Sequence, residues 1–240
     1  VDQWGNHNDS YTEQKGDYND AFTYQGYWGI GNKSEIWQFG DKNDSYVYQD
    51  GFMNEAQNEQ IGEDNWSEIY QRGEFNYGGA GQYGEDNWSI IDQKGLENWA
   101  LTFQNGSDNG SIVLQDGWRN DSYVDQFGHN NFSEVIQKGW FNDSEVYQHG
   151  GHNASLVDQD GIDNNSFVSQ HGGHNGSEVY QEGMWNGSDV YQHGGWNGSL
   201  VLQTGMMNYS FVDQHGHSNT SYVGQLGMGH GSFVDQHGDG

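Results

Sequence analysis

The heptapeptide SFVDQHG occurs at residues 210–216 and again at 232–238, and it contains the Ser, Asp and His of a nucleophilic hydrolase. Such an enzyme needs these three side chains within hydrogen-bonding reach of one another and donors for the oxyanion. In an extended strand, however, successive side chains alternate between two faces. Ser210 would then lie on one face and Asp213 on the other, so the heptapeptide does not predict an enzyme.

Histidine also recurs with a regular spacing. It follows glutamines that are 22 residues apart, at His149, His171, His193, His215 and His237. If such segments stack as neighbouring strands, the imidazoles form a column with a spacing of about 4.8 Å. A column of this kind can bind Zn²⁺ or Cu²⁺, or respond to pH. The alternative interpretation is a polar residue that is merely tolerated in a turn, and this is the one that the sequence favours.

Carboxylates cluster in the segments GEDN (62–65 and 84–87) and QDGIDNN (159–165), a composition that suits Ca²⁺. These segments lack the glycine-rich nonapeptide of calcium-binding β-rolls. We therefore expect solvated charge at these turns and no cofactor, beyond adventitious divalent cations that screen the net charge of −28.

The composition excludes several classes of protein. With 7 basic against 35 acidic residues, the chain should repel nucleic acid and anionic membrane surfaces. It has no Cys for disulfides or thiolate metal sites, and no stretch that resembles a membrane-spanning helix or a signal peptide. Hydrophobic residues are only 32%, yet aromatic residues reach 15%, which disordered acidic chains lack. We therefore expect an ordered fold without a large apolar interior.

One pattern, N-x-S-x-V-x-Q-x-G-x-x, covers the chain. Its glutamine stands at 3, 14, 25 and 38 and then every eleven residues to 236, which makes 22 units. The single irregular spacing, from Gln25 to Gln38, reflects the longer connection GYWGIG at 26–31. Constant residues alternate with variable ones, which is the period of a strand with one fixed face. The absence of Pro agrees with a chain that is paired in sheets nearly throughout.

The constant positions are predicted to form the interior. A buried amide must be hydrogen-bonded, and an Asn or Gln stacked on an identical residue in the next strand meets this need as a ladder. Solvated polar faces, with the aromatic residues inside, are the alternative. The representative ladder residues are Asn43, Ser45, Val47, Gln49, Asn142, Ser144, Val146, Gln148, Asn197, Ser199, Val201, Gln203, Asn208, Ser210, Val212 and Gln214. The glycines that allow tight arcs include Gly51, Gly150, Gly205 and Gly216.

A second period of 22 residues distinguishes alternate units, because histidine follows one set of alternate glutamines and the bulky arc residues follow the other set. One rung is therefore two strands and two unlike arcs. The predicted fold is all-β: a two-sheet parallel β-solenoid with cross-β, strand–arc–strand rungs, in which 22 half-repeats of eleven residues make about 11 rungs. We expect it to occupy residues 1–240 as a single domain, less regular over 1–108 and highly regular over 109–240.

The spacing Gln-x4-Asn-x5-Gln, with Gly two residues after Gln, resembles the curlin repeat of bacterial curli subunits. The segment SEVYQHGGHNASLVDQDG, at 144–161, is very similar to a unit of that family. One departure is the position six residues before Gln, where the family usually alternates Ser with another residue and this chain has Asn in both halves. The resemblance implies an extracellular functional amyloid of the biofilm matrix.

The repeat and the resemblance lead us to expect a homopolymer. No capping unit is visible, so Val1 and Gln3 at one end and Val234 and Gln236 at the other are predicted to stack head to tail in a filament. Its partners would be identical subunits, a nucleating subunit and a secretion channel, without nucleic acid or membrane insertion. We expect a structural, non-enzymatic role in a secreted or cell-surface fibre for adhesion. The alternative is a monomeric secreted solenoid that binds metal ions, carbohydrate or another surface.

Overall fold

The computed structural model of the chain describes residues 1–26 and 29–240, and every regular element in them is a β-strand. The prediction of an all-β fold is confirmed. Within the described residues, no helix is long and apolar enough to cross a membrane. The strands are β1 (Asp2–Gln3), β2 (Asp9–Lys15), β3 (Asp20–Gln25), β4 (Lys33–Asp41), β5 (Asp44–Phe52), β6 (Glu55–Glu63), β7 (Trp66–Glu74), β8 (Tyr77–Glu85), β9 (Trp88–Leu96), β10 (Trp99–Ser107), β11 (Gly110–Trp118), β12 (Asp121–His129), β13 (Phe132–Trp140), β14 (Asp143–Gly151), β15 (Ala154–Ile162), β16 (Asn165–Gly173), β17 (Gly176–Met184), β18 (Gly187–Gly195), β19 (Gly198–Met206), β20 (Tyr209–His217), β21 (Thr220–Met228) and β22 (Gly231–Asp239).

The strands form two parallel sheets of eleven strands, one from the odd-numbered and one from the even-numbered strands. Each strand pairs in register with the strand two places further along the chain. Identical repeat positions therefore lie side by side, as do Gln126, Gln148 and Gln170 in the even-numbered sheet. The predicted two-sheet parallel β-solenoid is confirmed, because each successive pair of strands completes one rung and stacks on the last.

The longer connection near the start of the chain preserves this stacking. Across it the paired residues are 24 positions apart, as in Gln14 with Gln38. Ile30, within the connection, pairs with Asn6 and with Phe52, so the backbone remains in register there. Tyr27 and Trp28, which belong to the connection predicted at 26–31, lie outside the described residues.

The apolar part of the interior is a narrow cluster built from the Val and Ile residues and Ala80, two positions before the glutamine, with Ala56 and Ala100 at the serine position. Where the position two before the glutamine is polar, hydrogen bonds between the sheets replace the apolar contact. Asn58 donates to the Ser45 hydroxyl at 2.6 Å, and the Thr102 hydroxyl lies 2.8 Å from that of Ser89. At these positions in the less regular first part of the chain, a hydrogen bond joins the two sheets in place of an apolar contact.

Outside the connection at 26–31, two left-handed residues shape the regular arcs. The first is the glycine two residues after the glutamine: at Gly150, φ is +120°, and a Cβ would lie 2.0 Å from the carbonyl oxygen of Gly172 in the next rung. The second stands two residues later and is usually not glycine, as at His152 with φ of 60° and Trp185 with φ of 55°. Its amide joins neighbouring arcs, since His152 N donates to His129 O at 3.0 Å. The repeat pattern predicted only the first of these positions.

We expect Gly150→Ala to destabilise the protein by about 3 kcal/mol or more, because it forces an L-residue into a left-handed conformation against backbone. Gly176→Ala is the matched control, since Gly176 lies in β17 and a Cβ there would meet nothing within 4 Å. That change should be neutral or slightly stabilising. Denaturant midpoints of the two variants measure the difference, and equal midpoints would contradict the arc geometry.

Candidate stacking interface

The repeat glutamines from Gln3 to Gln236 form the glutamine ladder, which runs along the axis of the solenoid. Gln148 Nε2 donates to Gln170 Oε1 in the following rung at 2.9 Å. The same nitrogen donates to the Phe132 carbonyl of the facing sheet at 2.8 Å. Gln148 Oε1 accepts from Gln126 Nε2 at 2.8 Å. Each internal glutamine therefore connects successive rungs and also ties the two sheets together.

The repeat asparagines from Asn8 to Asn219 form the asparagine ladder at the start of each strand. Asn131 Oδ1 accepts from both the backbone N and the Nδ2 of Asn153, at 3.2 and 3.0 Å. Asn153 Nδ2 also donates to the carbonyl of the arc glycine Gly172 at 3.1 Å. In the asparagine ladder, each side-chain amide donates to the asparagine of the preceding rung. In the glutamine ladder, each side-chain amide donates to the glutamine of the following rung. The contact between two rungs therefore has a direction, and parallel in-register stacking satisfies both ladders.

The structure places every representative ladder residue named above in the interior, with at most 7% of its surface exposed. The four representative arc glycines lie in the arcs with φ between +110° and +127°. At the ends of the solenoid, Gln3 and Gln236 bond to the neighbouring rung, and Val234 packs against the apolar cluster. Val1 precedes β1 and is 68% exposed, so it takes no part in the ladder.

The serine position differs from the two amide positions. In regular rungs its hydroxyl, as in Ser144 and Ser188, is buried without a hydrogen-bond partner among the described residues. A hydroxyl of this kind costs about 1–3 kcal/mol when it is left unpaired. We interpret the serine position as a requirement for a small side chain between the sheets, and not as a third polar ladder.

The Ser, Asp and His of the heptapeptide SFVDQHG do not converge. Ser210 is buried in the core, whereas Asp213 and His215 lie on the outer face. His215 Nε2 lies 3.1 Å from Asp213 Oδ1, and the serine is on the opposite side of the strand. The alternation of side chains thus separates Ser210 from Asp213, as the sequence indicated, and it separates Ser210 from His215 as well.

Residues of one type also stack in columns on the outer face. The imidazoles of His149, His171 and His193 have ring centroids 4.9 Å apart at each step. Burial, followed by the charges of the adjacent histidines, lowers the pKa of His171. Ion pairs such as Lys94–Asp116, at 3.3 Å, also bridge rungs, but exposed pairs contribute little to stability. As they stand, the described residues bring no three metal-ligating side chains together around one point.

Gln148→Glu should destabilise the protein by roughly 3 kcal/mol or more at neutral pH, because the new carboxylate loses two donated hydrogen bonds and is buried. Lowering the pH should restore part of the stability, since a protonated Glu can again donate one bond. Denaturant midpoints at about pH 7 and about pH 4 test this. Glu145→Gln, an exchange on the outer face of the same strand, is the control. Similar losses in both variants would argue against the ladder.

Acidic residues form a stack as well. Asp121 pairs with Asp143 of the next rung, and Glu145 is close to both. Partial burial, and then the charges of Asp143 and Glu145, raise the pKa of Asp121 to about 6. The folded state therefore binds this proton more tightly than the unfolded chain does. The contribution of the Asp121 carboxyl to the free energy of unfolding therefore rises as the pH falls from about 6 toward 3.8, the ordinary pKa of an aspartate.

Asp121→Asn should raise the thermal midpoint at about pH 7.5, because it removes a carboxylate that is unfavourable when ionised. The advantage over the wild type should shrink as the pH falls toward about 4. Asp239→Asn removes one negative charge elsewhere and controls for the general effect of net charge. Calorimetry across this range checks the expectation, and a gain that does not vary with pH would refute it.

The comparison with protein families agrees with this geometry. The curlin associated repeat matches residues 62–95, 106–139, 142–172, 186–216 and 211–238, which together cover more than half of the chain. The first two matches begin and end at arc glycines, so their limits fall in the arcs. No curated protein matches the chain. Both the matched repeat and the β-solenoid are structural and not enzymatic in character. The chain therefore belongs to the curlin-repeat family, which is associated with extracellular curli.

Proposed function

We propose that the chain is the structural subunit of an extracellular, curli-like amyloid fibre, which grows as copies stack head to tail. The observation that supports this most strongly is that neighbouring rungs meet through the same directional contact along the solenoid. Gln126, Gln148 and Gln170 repeat one set of hydrogen bonds from rung to rung. A further copy can extend such a contact without any new kind of interaction. Because the contact is heterologous and does not close, it produces a filament.

The terminal strands of the solenoid have complementary groups for this stacking. Gln225 and Gln236, in β21 and β22, donate only to backbone carbonyls. Gln3 and Gln14 donate to the following rung, and their Oε1 atoms accept no hydrogen bond from the described residues. In a head-to-tail stack, Gln225 would meet Gln3 in the odd-numbered sheet and Gln236 would meet Gln14 in the even-numbered sheet. The ladder direction and the sheet order both permit this junction.

The outer face suits a role in matrix and adhesion. The net charge of −28 opposes close association of parallel filaments and favours a hydrated fibre. Aromatic side chains remain accessible on the same surface away from the ends of the solenoid, with Trp140 52% and Trp196 63% exposed. They offer apolar contacts for bundling or for other surfaces. Identical subunits are the main partners in this proposal, with a nucleating subunit and a secretion channel as accessory partners.

The first test is electron cryomicroscopy of the purified protein after incubation in neutral buffer. Unbranched filaments with an axial repeat of about 4.8 Å would support the fibre. Monodisperse rods of roughly 50 Å, the length of about eleven stacked strands, would instead favour the alternative of a monomeric binding module.

Variants of β22 test the junction itself. Gln236→Lys should abolish filament growth, because it places a charge in the interior of the next contact. The fold of a single chain should survive, since Gln236 is still partly accessible there. Asp235→Lys is the matched control, on the outer face of the same strand. Thioflavin fluorescence and sedimentation would follow assembly, and equal growth of both variants would exclude stacking through this end.

A further inference from the structure

Five imidazoles form a column on the outer face of the even-numbered sheet, here called the histidine column. Its members are His149, His171, His193, His215 and His237. Successive ring centroids are 4.9, 4.9, 5.2 and 4.9 Å apart. Every one of these side chains is at least partly exposed. The fold thus holds imidazoles at a close and even spacing where solutes can reach them.

The column is open at its side where one small residue separates two tyrosines. Ser169 lies between Tyr147 and Tyr191 in neighbouring strands. A depression of about 350 Å³ lies at this place. Its lining includes Asp125, His149, His171 and His193. An ion can therefore approach the edges of these rings without moving a large side chain.

Oxygen ligands accompany the nitrogens further along the column. His215 Nε2 lies 3.1 Å from Asp213 Oδ1, and His237 Nε2 lies 2.9 Å from Asp235 Oδ1. The sequence has no Lys or Arg after Lys138, so no cationic side chain from that part of the chain competes for the site. The local charge therefore favours a cation.

We propose that the histidine column binds divalent transition-metal ions of the Zn²⁺ and Cu²⁺ type, each held between the imidazoles of two adjacent rungs. Imidazole nitrogen selects these ions over Ca²⁺ and Mg²⁺, which prefer oxygen. Two nitrogens on one tetrahedral Zn²⁺ are about 3.3 Å apart. Rings whose centroids lie 4.9 Å apart reach this separation by side-chain rotation alone. Water or a neighbouring aspartate completes the coordination.

The pairing of adjacent imidazoles determines how many metal ions one chain can bind. Because each ion uses two adjacent imidazoles, five of them hold about two ions per chain, one imidazole being left over. The column is bounded by Phe127, whose ring lies 4.8 Å from that of His149. In the head-to-tail stack proposed above, Lys15 would follow His237, so filaments and single chains should bind the same number of ions.

Titration calorimetry with ZnCl₂ tests this stoichiometry on variants that carry asparagine at different positions of the histidine column. His171→Asn and His215→Asn should each reduce binding from about two ions to about one, because each leaves only one separate pair available. His193→Asn is the matched control, since it leaves the pairs His149–His171 and His215–His237 and should retain about two. The double variant of His171 and His215 leaves no adjacent pair and should lose the binding.

Two precautions make the result decisive. All titrations use a His152→Asn background, because His152 and His174 form a separate pair on the arc with centroids 4.7 Å apart. Folding of each variant is checked by circular dichroism. Asparagine is compatible with the column position, because Asn105 occupies the equivalent position in the native sequence. Equal losses for His193→Asn and His171→Asn, or zinc binding retained by the double variant, would overturn the proposal and assign the binding to scattered carboxylates.

Discussion

The structure depends on one constraint: an amide side chain that leaves water must find a full set of hydrogen-bond partners. This chain buries such amides in nearly every strand. Gln148 and Asn153 meet the constraint only because the same residue type stands at the same height in the next rung. That need accounts for the in-register parallel pairing, the regular arc length and the repeat of 22 residues along each sheet. Polar residues thus take the place that apolar ones hold in most cores.

The arcs obey the same constraint through the backbone. Gly172 has the left-handed conformation that turns the chain, and its carbonyl accepts the Nδ2 proton of Asn153. A side chain on Gly150 would collide with that same Gly172 carbonyl, so the glycine and asparagine positions are coupled between rungs. Each rung interacts mainly with its two neighbours, as expected of a solenoid. Order therefore does not require the large apolar interior that the composition could not supply.

Function on the outer face arises from repetition. The interior leaves the outward positions free to vary, but whatever residue stands there is stacked on its equivalents at strand spacing. Five histidines become a column of imidazoles, and Asp121 over Asp143 becomes a pair of carboxylates with a raised pKa. A family of structural subunits can in this way acquire a new surface chemistry without any change in the contact that stacks its rungs.

The sequence by itself determined the all-β solenoid, its two sheets and its inward-facing positions, because period two and period 22 are direct consequences of strand geometry and stacking. It also indicated that Ser210 and Asp213 lie on opposite faces of their strand. Only the tertiary structure decided the opposite directions of the two ladders, the bond from Gln148 to the facing sheet and the left-handed backbone at His152. It likewise showed that the Ser144 hydroxyl has no hydrogen-bond partner among residues 1–26 and 29–240. These features depend on the distance between sheets and on the path of each arc, and residue spacing along one chain contains neither.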